Sequence, residues 1–97
     1  MQDASGSITT GGTAQTALAA NPTRRFLRIE NPPSATESLF VRYGGTASVN
    51  SSTPDSTELA PGASDEYWSV GGSGYVPGGL VSVIAATTGH KFVLKWE

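Results

Sequence analysis

The chain has no cysteine, a single histidine and 14% charged residues, where about 25% is usual for a soluble domain. Without cysteine there is no disulfide staple and no thiolate metal site. One histidine, His90 in the turn "TTGHK", cannot build a multi-histidine metal centre. No apolar run approaches the ~20 residues that span a bilayer. The opening "MQDASGSITTGG" has neither a basic n-region nor an apolar h-region, so neither secretory signal nor membrane span is expected. A net charge of −2 offers no general attraction to a phosphate backbone, so no nucleic-acid partner is expected.

Turn formers and short apolar runs are abundant. Twelve glycines and six prolines punctuate segments whose apolar residues alternate with period two, the mark of half-buried strands. In "RRFLRIEN", Leu27 and Ile29 share one face, and Arg24, Phe26, Arg28 and Glu30 share the other. "SLFVRY" sets Leu39, Val41 and Tyr43 against Phe40 and Arg42, and "KFVLKWE" sets Phe92, Leu94 and Trp96 against Lys91, Val93 and Lys95. "LVSVIAA" is nearly continuous, as in a strand covered on both faces. Weaker strands are predicted at Ser7–Thr10, Gln15–Leu18, Thr57–Leu59 and Glu66–Ser69. "GTAQTALAAN" is read as extended, with at most one helical turn before Asn21. "GGTA" occurs at Gly11–Ala14 and Gly44–Ala47, but the flanks differ and a repeat is not inferred.

Ninety-seven residues suffice for one core, burying roughly two-thirds of the unfolded surface. The expectation is an all-β fold: one small antiparallel β-sandwich or barrel of seven to eight short strands over residues 13–97. Residues 1–12 are expected to form a flexible N-terminal arm, in which Ile8 is the one large aliphatic side chain, so that deleting Met1–Thr10 costs the core little. Thr46–Ser56 is expected to be a mobile surface loop.

Half of the cationic side chains (Arg24, Arg25 and Arg28, of six Lys and Arg) sit in "NPTRRFLRIENPP". A phosphate-binding face would recruit more cations and shed acids; here Arg42 is the one recruit, and Glu30 shares the face. A strand with a solvated or partner-facing outer surface fits better. Phe26 among those charges either anchors a partner or covers part of the core.

Catalytic constellations do not assemble. His90 has no evident nucleophile and orienting partner. No serine sits in a G-x-S-x-G elbow. The adjacent Asp65 and Glu66 point to opposite faces of a strand and cannot form a dyad. "GGSGYVPGG" lacks the Gly-Lys-Ser/Thr of a phosphate loop. "NSS" at Asn50 matches a glycosylation sequon by chance. No enzymatic activity, metal or cofactor is expected. Among the aromatics, Trp96 reads as core; one of Tyr67 and Trp68 must face outward, and Tyr75 in its glycine frame is the best non-core candidate.

The elements "GGTAQ", "RRFLRIEN", the second "GGTA", "LAPGAS" and "VSVIAATTG" resemble a family of small β-rich virion proteins of tailed bacteriophages, over about Ser7–Glu97. The resemblance implies a non-enzymatic structural component on the outer capsid surface, most simply a capsid decoration (cement) protein, partnered by the major capsid protein or other virion proteins. Copies are expected to form a homo-oligomer, with a trimer favoured, because many weak attachments gain from multivalency. Interface residues on this reading are Ile8, Arg24, Phe26, Arg28, Arg42, Tyr67, Trp68 and Tyr75. The alternative is a tail or head-fibre module that recognises a host glycan, with Tyr67, Trp68 and Tyr75 as its binding residues.

Overall fold

The computed structural model describes residues 1–51, 54–69 and 75–97. Glycines 71, 72 and 74 of "GGSGYVPGG", and residues 52 and 53 of the Thr46–Ser56 loop, the first of which ends the sequon, lie outside the described residues. Among the described residues there is no helix. Nine strands occur in the order β1 Gln2–Asp3, β2 Gly6–Ser7, β3 Gln15–Leu18, β4 Phe26–Glu30, β5 Leu39–Tyr43, β6 Thr57–Leu59, β7 Ser64–Trp68, β8 Val81–Ile84 and β9 Lys91–Trp96. They form two antiparallel sheets. One runs β1-β9-β4-β7, with β2 also on β9; the other runs β3-β8-β5-β6. The architecture is an open, sandwich-like all-β fold.

The inward sets read from alternation form the core. Leu27, Ile29, Leu39, Val41, Val81, Val83 and Leu94 are completely buried, with Phe92 and Leu59 nearly so. Trp96 packs against this cluster from its rim. All four residues of β8 are buried. Its second face is covered in part by the loop after β5, where the Ala47 N–H donates to Ser82 Oγ at 2.9 Å.

The described residues of that loop, expected to be mobile, are cross-linked by their own side chains. Asn50, with φ of +61°, exchanges two hydrogen bonds with the Ser56 backbone. Asp55 accepts from Ser48 and Ser56 and pairs with Arg42 at 2.9 Å. Short polar side chains close their own turn here, as Asn, Asp and Ser readily do. The Asn50 side-chain amide is thereby occupied within the loop.

The two "GGTA" stretches are used differently. Gly12 takes the positive φ in the first and Gly44 in the second. A Cβ at Gly11 would stand 2.3 Å from the Ala86 carbonyl oxygen, so only glycine fits that approach.

Residues 1–12 differ most from expectation. β1 and β2 extend the first sheet along β9, in register Gln2↔Trp96, Asp3↔Lys95, Gly6↔Phe92 and Ser7↔Lys91. Ile8 is 1% exposed within the core cluster. Its N–H donates to the His90 carbonyl and its own carbonyl accepts from Gly89, both at 2.8 Å. Ile8 is therefore a core residue and not the partner contact expected of it. An opening without apolar alternation masked that anchor.

Candidate functional site

Arg24, expected on a partner-facing surface, lies inside the protein. It precedes β4 by two residues, and the strand's alternation does not extend to it. It is 4% exposed. Nη1 donates to the carbonyls of Pro77 at 2.6 Å and Gly79 at 3.3 Å, and Nη2 to that of Ala19 at 2.8 Å; Nε has no partner. Burial pushes its pKa down from the ordinary value, although a guanidinium stays charged in any protein setting. Arg24 joins the turn after β3 to the segment before β8 and cannot contact a partner. Arg42 is likewise committed to its own chain, through Asp55 and the Thr46 carbonyl.

Phe26, Arg28 and Trp68 do share a surface. The β4–β7 register sets Phe26 opposite Trp68 and Arg28 opposite Glu66, and direct cross-strand partners lie on one face. Phe26 is half-buried, Trp68 is 45% exposed, and their ring centroids stand 6.0 Å apart at 45°. Around them opposite charges alternate: Arg28 pairs with Glu66 at 3.3 Å and Glu30 at 3.5 Å, Arg25 with Glu97 at 3.4 Å, and Lys95 with Asp3 at 2.9 Å. Phe26 and Trp68 line a groove of about 460 Å³ with Arg25, Glu66 and Ser69. This outer face of the first sheet carries paired charge and an aromatic centre.

Tyr67 points the other way, opposite Leu27. It meets Tyr43 edge-on at 5.6 Å, and Tyr75 meets it at 6.4 Å. Tyr75 is 63% exposed. The three aromatics assigned to glycan recognition therefore divide, with Tyr67 and Tyr75 together and Trp68 on the opposite side of β7.

A cluster not foreseen joins Asn31, Glu37 and His90. Asn31 is fully buried, and its amide donates to the carbonyls of Glu37 at 2.9 Å and Leu59 at 2.8 Å. These two acceptors orient the amide, so its Oδ1 faces His90 Nε2 at 2.8 Å. His90 Nδ1 lies 3.2 Å from Glu37 Oε2. Thr87 donates to Glu37 from its hydroxyl at 2.7 Å and its backbone N–H at 3.0 Å. Neither ring nitrogen faces a hydroxyl nucleophile. The network clasps the turn after β4 to the turn before β9. His90 stands 59 residues from Asn31 and 53 from Glu37, so no local sequence pattern could link them.

The Thr87 hydroxyl, followed by its N–H and the neighbouring His90, holds the Glu37 pKa below its ordinary value of 4.5 against the opposing effect of burial. A carboxylate whose folded-state pKa is depressed contributes stability that is present above the unfolded value and lost as pH falls through the folded one. Glu37→Gln is therefore expected to destabilise most at neutral pH, with the gap to wild type narrowing towards about pH 2. Urea unfolding at both pH values checks this; an equal gap at each would mean that the Glu37 charge has no part in stability.

Comparison of the chain with protein-family models, curated proteins and solved structures finds no match.

Proposed function

We propose that this chain is a non-enzymatic structural protein of a tailed-bacteriophage virion, a decoration protein bound to the outer capsid surface through the Phe26–Trp68 face. The resemblance of its turn and strand motifs to small virion proteins supplies the class. The observation that carries the site is an aromatic pair set in a mosaic of internally paired charge. Aromatic centres with few unpaired charges are typical of protein-binding patches. A nucleic-acid surface would instead keep its cations uncompensated for phosphate, whereas Arg25, Arg28 and Lys95 each already hold a carboxylate.

The test has two arms. Quantitative mass spectrometry of purified particles is expected to find copies of the same order as the capsid protein. Trp68→Ser is expected to weaken particle attachment at least about tenfold, as loss of a hot-spot aromatic does. Its own melting temperature should fall by no more than about 8 °C, the equivalent of one cross-strand pair. Absence from the particle, or density confined to the tail, would overturn the reading. A large thermal shift in Trp68→Ser would assign that side chain to stability instead.

A further inference from the structure

We propose that Asp65, together with Tyr43, Tyr67 and Tyr75, forms a site for the ammonium or guanidinium group of a lysine or arginine on a partner protein. Asp65 is a charge without a counter-charge. Asp3, Glu30, Asp55, Glu66 and Glu97 each face a lysine or arginine. Glu37 faces His90, and the exposed Glu58 accepts from Ser38. Asp65 is half-buried, opposite Ile29 in the β4–β7 register. Among the described residues, its carboxylate accepts one hydrogen bond, from the Tyr43 hydroxyl at 3.1 Å to Oδ2.

A partly desolvated carboxylate normally gains a cation, and this chain has none to give. All six lysines and arginines are among the described residues, and none forms an ion pair with Asp65. Arg24 is held by carbonyls, and Lys91 lies on β9 opposite Ser7. Residues 52–53 and 70–74 contain no Lys, Arg or His. A cation paired with Asp65 would therefore come from outside the chain.

The surroundings select its chemistry. Tyr43 and Tyr67 meet edge-to-face at 86°, and Tyr67 and Tyr75 at 89°, and the Tyr43 hydroxyl ties this aromatic cluster to the carboxylate. An aromatic cluster tied to one carboxylate suits an organic cation. A hard metal ion would require several oxygen ligands. The hydroxyl pKa values of both Tyr43 and Tyr67 are pushed up, first by burial and then by the Asp65 charge, so the carboxylate acts on the rings around it. The exposed Tyr75 ring gives access from solvent. A partner side chain reaching this cluster would approach the opposite side of β7 from the Phe26–Trp68 face, so the two sites can be tested separately.

Nuclear magnetic resonance titration with Nα-acetyl-arginine amide is the direct test, with the isosteric but neutral Nα-acetyl-citrulline amide and methyl glucoside as comparisons. Saturable shifts at Asp65, Tyr67 and Tyr75 are expected with the arginine probe, with affinity at least tenfold above citrulline. Asp65→Asn keeps an acceptor for Tyr43 and is expected to reduce arginine affinity at least tenfold in a protein with an otherwise native spectrum. Tyr75→Ser, at an exposed position, should weaken binding without disturbing the fold. Equal binding of arginine and citrulline, shifts by the sugar alone, or unchanged affinity in Asp65→Asn would each overturn the proposal.

Discussion

Replacing Ile8 with alanine is expected to destabilise the protein by roughly 2–4 kcal/mol, lowering the melting temperature by roughly 10–25 °C. The side chain is 1% exposed, and its backbone is tied on both sides to Gly89 and His90, so the surroundings cannot easily close over the cavity. Deleting Met1–Ser7 should behave differently. Every residue there except Ala4 is exposed, and the deletion removes mainly edge hydrogen bonds, at a net cost of about 1 kcal/mol each. A truncation ending at Ser7 should thus stay folded, while one ending at Thr10 also removes the Ile8 anchor. Chemical unfolding of the point variant and the two truncations checks this. A shift below about 0.5 kcal/mol for Ile8→Ala would return residue 8 to a peripheral arm.

The second large effect is at Arg24. Two opposing terms meet there: methionine would relieve the cost of burying a cation that has no acid partner, but would leave the carbonyls of Ala19, Pro77 and Gly79 without their donor. Hydrogen bonds to a charged donor are worth about 1.5–3 kcal/mol each, and an orphaned buried acceptor costs about 1–3 kcal/mol. Pro77 is buried, whereas the exposed Ala19 and half-buried Gly79 can take water in compensation. The orphaning term wins, and Arg24→Met is expected to lose roughly 2–3 kcal/mol. Arg24→Lys should lose less, keeping the charge but not the planar fork that reaches several carbonyls at once. A more stable Arg24→Met protein would show that desolvation of the guanidinium dominates.

Sequence alone determined the all-β class, the boundaries of β3 and β6, and the inward residues of β4, β5, β8 and β9. Those properties follow from a backbone that turns successive side chains to opposite faces, so hydrophobic alternation reports them locally. The same alternation set Phe26 and Arg28 on the outer face of β4, but left open which of Tyr67 and Trp68 faces outward. It failed at Arg24 because that residue lies before β4, where the chain is still turning and period two does not yet apply. It failed at Ile8 because one apolar residue in a polar segment has no period at all. Only the tertiary structure brought Asn31 to His90, laid the loop after β5 over Ser82, and left Asp65 among tyrosines without a cation. Each of these depends on which strands become neighbours in the two sheets, and strand order is set by the packing of the whole core rather than by any stretch of sequence.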